Sequence, residues 1–142
     1  MSLSVTMDNE NNTANIMKLG RPSFGIDGRY LLRGVVDESV RDYLLSMEKS
    51  AEQLSTYFLP KSPIYRAFEF EVMLANISLQ NETETTSSVN RKYTIKDLKG
   101  LVPQIKWDKY FKGLLSVEIS ENDSVLVEDL TFVKNVAHFI NR

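Results

Sequence analysis

Two glutamates, Glu69 and Glu71, stand among apolar residues in the stretch FEFEVMLANISL. Paired carboxylates can supply the acid and the base of a glycosidase, provided that both reach the scissile bond. The stretch predicts a helix, because Ser62-Pro63 is a helix-start signal and apolar residues recur at spacings of three and four. At ~100° per helical residue the two side chains point about 200° apart. The pattern therefore argues against an acid–base pair.

The single histidine, His138, is the other residue that could do chemistry, and the chain contains no cysteine. One imidazole without a thiol cannot complete the usual zinc sites. His138 lies in no H-E-x-x-H motif, and the chain has no G-x-S-x-G elbow, P-loop or G-x-G-x-x-G turn. We therefore assign no catalytic and no metal-binding residue, and interpret His138 as the flank of a terminal helix. A small hydrolase that uses His138 stays open as an alternative.

Four asparagines lie in Asn-x-Ser/Thr triplets without proline in the middle position: Asn11 (NNT), Asn76 (NIS), Asn81 (NET) and Asn122 (NDS). This triplet is the acceptor for N-linked glycans in secreted proteins. Four copies are a mild excess over chance for a chain of this composition. The sequence thus predicts an extracellular or lumenal origin, with these four asparagines as glycosylation candidates.

The length, charge and hydropathy of the chain limit the classes of protein and of partner that fit it. With 142 residues, one domain is the simplest expectation. The formal charge of −2 and the absence of a basic run exclude a phosphate-binding surface, so we expect no nucleic-acid partner. No apolar run approaches the ~18 residues that span a bilayer.

The elements predicted along the chain give a mainly α fold: an N-terminal β-hairpin, then about four to five helices, with one short extended run before the last helix. The strands SVTM and ANIMKL flank the polar turn DNENNT, and the glycine-punctuated LGRPSFGIDGRYLLRG is predicted as a connector. Residues 1–3 are interpreted as an expression leader, 4–142 as a single segment, and 80–90 as a flexible polar loop.

Helix boundaries follow from capping residues and prolines. One helix is predicted from Asp37 to Pro60, with an apolar face of Val40, Tyr43, Leu44, Met47, Ala51, Leu54 and Phe58. The helix after Ser62-Pro63 is apolar around much of its circumference, so we expect it to be largely buried. A capping box, Thr94 to Asp97, opens a short helix that stops before Pro103. IKWDKYFKGLL is predicted as the next helix. The extended run VLVE and the N-cap Asp129 precede the last helix. The inner face of that helix consists of Leu130, Val133, Val136, Ala137 and Ile140.

Taken in order, these blocks resemble the N-terminal, non-zinc region of neprilysin and the endothelin-converting enzymes. FGIDGRYLL stands where that family has a glycine-leucine-proline-x-arginine-aspartate-tyrosine-tyrosine motif. EVMLAN, residues 71–76, matches a glutamate-x-x-leucine-alanine-asparagine helix. KYTIKDL is similar to the family's tyrosine-x-x-methionine-threonine helix start, and IKWDKYF matches a nearby tryptophan block. The resemblance covers nearly the whole chain after residue 3.

The resemblance implies a role within a larger protein. The family consists of zinc metalloendopeptidases, mostly single-pass membrane proteins with the peptidase outside the cell. Their zinc ligands lie in a C-terminal H-E-x-x-H motif and a later glutamate motif, and this sequence contains neither. The chain would then need no cofactor of its own, zinc belonging to the parent, and would be inactive alone. It would be part of the helical domain that faces the catalytic domain and encloses the cavity for peptide substrates, with Glu69 and Glu71 as scaffold positions.

The resemblance also gives expectations about partners. The catalytic domain of the same parent chain would cover one face of this segment, so the excised piece would expose apolar surface and self-associate. The location would be the ectodomain of a single-pass membrane protein or a secreted relative. An extracellular helical interaction module without an enzyme parent is the alternative.

Overall fold

The computed structural model describes residues 1–8, 10–11, 13–54, 61–80, 90–115 and 118–141. The fold is mainly α with an N-terminal β-hairpin, as the sequence predicted, and the hairpin is part of a small four-stranded sheet that the sequence did not predict. The chain forms two compact units, of which the first combines Met1–Pro22 with Glu84–Arg142 and the second is Ser23–Thr83. That 4–142 acts as one segment stays a prediction.

The sheet belongs to the first unit. Its strands are β1 (Ser2–Met7), β2 (Asn15–Gly20), β3 (Arg91–Thr94) and β4 (Ser124–Val127), in the order β1-β2-β4-β3. β1 and β2 form the predicted antiparallel hairpin, in which Ser2 and Leu3 pair with Gly20 and Leu19. β4 runs parallel to β2 and antiparallel to β3. The extended run before the last helix is therefore a central strand, and residues 2 and 3 are strand residues whatever their origin.

Three helices complete the first unit: α4 (Ile95–Leu101), α5 (Trp107–Leu115) and α6 (Leu130–Ile140). The predicted capping box is present, because the Thr94 hydroxyl accepts from the Asp97 N–H at 3.0 Å and the Asp97 carboxylate accepts from the Thr94 N–H at 2.9 Å. The predicted cap of α6 is also confirmed, since the Asp129 carboxylate accepts from the Phe132 N–H at 3.0 Å.

The core of the first unit is built from strand and helix residues together. The indole N–H of Trp107 donates to the carbonyl oxygens of Leu98 and Val102, each at 3.0 Å, so this large side chain is buried without an unpaired donor. Ile140, expected on the inner face of α6, is exposed because it is the last residue of this short helix. The buried apolar residues are Ile16, Leu19, Ile95, Leu98, Val102, Trp107, Phe111, Val125, Val127, Phe132, Val133, Val136 and Ala137.

The second unit contains α1 (Gly28–Leu31), a 3-10 turn (Gly34–Val36), α2 (Glu38–Leu54) and α3 (Lys61–Gln80). The stretch predicted as a connector thus contains α1 and ends at the first residue of the 3-10 turn. Asp27 begins α1 by accepting from the Arg29 N–H at 2.9 Å. Gly34 has φ +71°, a conformation that glycine adopts without steric cost. Of the loop predicted at 80–90, residues 81–89 lie outside the described residues, and Gln80 is helical.

The core of the second unit lies among α1, α2 and α3, with Leu31, Val40, Leu44, Ile64, Phe68 and Ala75 buried. Two expectations were wrong in detail. Leu54 is 89% exposed, since it is the last residue of α2 as described, and Phe70 is 46% exposed. α3 packs on α1 and α2, and Phe70 lies on a part of its apolar circumference that is exposed. Phe58 lies outside the described residues.

Candidate functional site

The carboxylate of Glu71, in the middle of α3, joins three segments of the second unit. The Tyr43 hydroxyl on α2 donates to both carboxylate oxygens, at 2.9 and 3.1 Å. The backbone N–H of Gly25, ahead of α1, donates to one of them at 3.1 Å. Gly25, Tyr43 and Glu71 are called the Glu71 cluster below. Because Glu71 is engaged from two directions, its contacts are those of a cross-link between elements.

The chemistry of the cluster fits this structural role. Burial, and secondarily the hydrogen bond to Glu71, raises the pKa of Tyr43 to about 12, so its hydroxyl stays a neutral donor at physiological pH. A Cβ at Gly25 would overlap the Tyr43 ring, so glycine is required for this close approach. Sequence reasoning missed both partners of Glu71. The signal was a tyrosine on an apolar helix face, which needs a partner for its hydroxyl when buried.

Glu69 lies on the same helix and is exposed. The helix confirms the geometry on which the acid–base pair was rejected, since residues two apart point to different sides. His138 is exposed in the last turn of α6, where a cation is favoured by the helix dipole. This position agrees with the interpretation of His138 as a helix flank. The small hydrolase that uses it stays an untested hypothesis.

The donor set does not fit a zinc ion. The chain has one histidine and no cysteine, and across the described ranges no three His, Cys, Asp or Glu side chains gather where they could hold a metal. Structural and catalytic zinc sites need three or four such ligands.

Three of the four glycosylation candidates lie among the described residues, and all three asparagines are exposed. Asn11 is exposed in the hairpin turn, Asn122 is exposed in the turn before β4, and Asn76 is exposed on α3. The hydroxyl-bearing residues differ more, because Thr13 is exposed, Ser124 is half-buried and Ser78 is buried. Asn81 lies outside the described residues. Glycan attachment at any of the four stays a prediction.

Among the described residues, surface cavities occur in both units. In the second unit an apolar groove of about 330 Å³ runs along α2 and is lined by Val35, Arg41, Leu44, Leu45, Glu48 and Tyr65. It is called the α2 groove below. In the first unit a polar cavity of about 310 Å³ includes Asp8, Lys92 and Asp123. There the Lys92 ammonium contacts Asp8 at 2.7 Å and the neighbouring Glu10 at 3.0 Å, which lowers the pKa of Asp8 and raises that of Lys92.

The family model of peptidase family M13 matches residues 1–142, the whole chain. Relatives include neprilysin-21 of Caenorhabditis elegans, 26% identical over 145 residues, and endothelin-converting enzyme 1 of Rattus norvegicus, 25% identical over 150. Neprilysin-2 of Drosophila melanogaster is 25% identical over 144 residues. Each alignment covers 99% of this chain and 19% of the relative.

A match over the full length shows the family: the chain belongs to peptidase family M13. It corresponds to part of the N-terminal region of these proteins and spans about a fifth of the length of the curated relatives that it matches. The resemblance inferred from the sequence is therefore confirmed. Within the described part of the chain, every helix is too short or too polar to cross a membrane.

Proposed function

We propose that this chain is a non-catalytic segment of a larger zinc metalloendopeptidase, a peptide-bond hydrolase. One observation carries the proposal: the M13 family model matches all 142 residues, while relatives named neprilysin and endothelin-converting enzyme are about five times longer. The residue types add support, since a chain with one histidine and no cysteine cannot contain the H-E-x-x-H motif.

In this proposal the segment packs on the catalytic domain of its own parent chain and helps to enclose the cavity in which peptides are cleaved. The α2 groove supports such a covered face. Val35, Leu45 and Tyr65 in its walls are 49%, 50% and 43% exposed. Apolar surface left in water costs about 25 cal/mol per Å² relative to burial, and contiguous exposed apolar residues mark interfaces.

The α2 groove gives the proposal a test of its own. The isolated chain should self-associate with rising concentration, because the face that the parent covers is open to water. Leu45→Glu should weaken this association, whereas Leu114→Glu, a matched change at an exposed leucine of α5, should leave it unchanged. Multi-angle light scattering reports the mass of each variant. A strictly monomeric wild type at high concentration would contradict the covered face.

We further propose an extracellular or lumenal location, as the ectodomain of a single-pass membrane protein or as a secreted relative. The four Asn-x-Ser/Thr triplets support this, with Asn11, Asn76, Asn81 and Asn122 as the candidate acceptors. A natural transcript that encodes H-E-x-x-H several hundred residues downstream would support the peptidase parent. A natural stop codon after Arg142 would instead favour an extracellular helical interaction module without an enzyme parent.

A further inference from the structure

We propose that, in the folded chain, Asn11 is open to N-glycan transfer and Asn76 is closed to it. This inference rests on the proposed extracellular or lumenal location. Transferases use threonine more readily than serine at the third position of the triplet, so the two sites are compared with Thr13 replaced by serine, where the sequence pattern gives no reason to rank them. The fold does, because it arranges the asparagine amide and the hydroxyl two residues later in opposite ways.

The Asn11 triplet presents both groups together. The Thr13 hydroxyl donates to the Asn11 side-chain oxygen at 2.7 Å, and the Thr13 N–H donates to the same oxygen at 3.3 Å. Amide and hydroxyl therefore face the same side of the turn. Both residues are exposed, at the tip of the hairpin between β1 and β2. A transferase that must bind the Asn11 amide and the Thr13 hydroxyl together therefore finds both groups accessible and close to each other.

The Asn76 triplet separates the same groups. It lies within α3, where residues two apart point about 200° from each other. Asn76 is exposed, and its side-chain oxygen accepts from the Gln80 side chain at 3.3 Å. Ser78 is 5% exposed, and its hydroxyl is buried without a hydrogen-bond partner among the described residues. The Ser78 hydroxyl becomes accessible to a transferase only if α3 unfolds locally.

The reaction is a glycosyl transfer from a polyprenyl-diphosphate-linked oligosaccharide, catalysed by an oligosaccharyltransferase. The bond between sugar C1 and the diphosphate oxygen breaks, and a bond from C1 to Nδ2 of Asn11 forms. The amide proton passes to a base of the transferase, and the lipid diphosphate leaves with the electron pair of the broken bond. No oxidant, reductant or further cofactor enters the balance.

The experiment uses the complete 142-residue chain, folded and unglycosylated, in a Thr13→Ser, Asn81→Gln, Asn122→Gln background, so that both triplets end in serine. Purified oligosaccharyltransferase and lipid-linked donor are added, and glycopeptide mass spectrometry follows each site. We expect Asn11 to be modified at least ~10-fold faster than Asn76, because transfer to Asn76 requires prior local unfolding of α3. Short peptides of residues 8–16, carrying Thr13→Ser, and of residues 73–81 lack the fold and should show comparable rates.

Two variants at Thr13 test whether transfer to Asn11 depends on the hydroxyl group. Thr13→Ala should abolish transfer to Asn11, whereas Thr13→Ser, which keeps the hydroxyl, should retain it. Equal rates at Asn11 and Asn76 in the folded chain would overturn the proposal, as would a tenfold rate difference already present in the peptides. Because the transferase is supplied in vitro, neither result depends on where the parent resides or on whether it is a peptidase.

Discussion

The Glu71 cluster offers the sharpest test of how the second unit is held together. Replacing Glu71 by alanine removes the acceptor of the half-buried Tyr43 hydroxyl and of the Gly25 N–H. A hydrogen bond to a charged group contributes about 1.5–3 kcal/mol, and the donor left behind loses most when it is buried. Gly25 is exposed and can turn to water, so we assign nearly all of the loss to Tyr43. The expected cost is about 2 kcal/mol of unfolding free energy.

Glu69→Ala is the matched control, since it makes the same change two residues away on the same helix at an exposed position. Both variants replace a helical glutamate by alanine, so the propensity change cancels. Urea unfolding followed by circular dichroism gives the two free energies. We expect Glu69→Ala to stay within about 0.5 kcal/mol of wild type. A Tyr43→Phe, Glu71→Ala double-mutant cycle should show a coupling of about 1–2 kcal/mol. Equal losses for the two glutamates, with zero coupling, would refute the cross-link.

The raised pKa of Tyr43 predicts that the stability of the fold depends on pH in the alkaline range. The pKa of Tyr43 is raised from its ordinary value of 10 to about 12 in the folded chain. Above pH ~10 the unfolded state therefore binds fewer protons than the folded state, so stability falls as the pH rises towards ~12. Tyr43→Phe should lose stability less steeply across that window, measured as the difference between the two denaturation profiles. Identical slopes would contradict the assigned burial of the hydroxyl.

Three further substitutions test individual elements by urea unfolding. Thr94→Ala removes the capping box of α4 and should cost about 1 kcal/mol, and Thr94→Ser should restore most of it; no loss would show that the cap is not used in solution. Asp129→Ala removes the N-cap of α6 and the 2.8 Å ion pair between Asp129, which is 5% exposed, and Arg21. We expect it to lower the free energy of unfolding by about 3 kcal/mol. A loss below about 0.5 kcal/mol, typical of a surface substitution, would contradict the burial of Asp129. Gly25→Ala should cost about 1–3 kcal/mol through overlap with the Tyr43 ring; a neutral result would refute the close approach.

Local signals in the sequence located most of the helices. The Thr94–Asp97 capping box and the Asp129 cap are formed where the sequence predicted them, because capping depends on residues three apart. β3 was missed, since four residues carry too little periodicity to distinguish a strand from a helix start. The parallel pairing of β4 with β2 was also missed, because a long-range strand pair leaves no mark in either segment alone.

In the candidate site, too, the local geometry was predictable from the sequence and the long-range contacts were not. Helical geometry alone was enough to separate Glu69 from Glu71. The partners of Glu71 were not predictable, because Tyr43 and Gly25 are 28 and 46 residues away in sequence. Similarly, the four glycosylation triplets were visible in the sequence, but the burial of Ser78 and the exposure of Thr13 became known only from the packing.

Peptide hydrolysis tests the proposed role most directly. The 142-residue chain and a parent protein that contains it would be assayed side by side with zinc and a fluorogenic peptide, with and without a metal chelator. A non-catalytic segment predicts chelator-sensitive turnover by the parent and none by the isolated chain. Robust chelator-sensitive cleavage by the isolated chain would contradict the proposal.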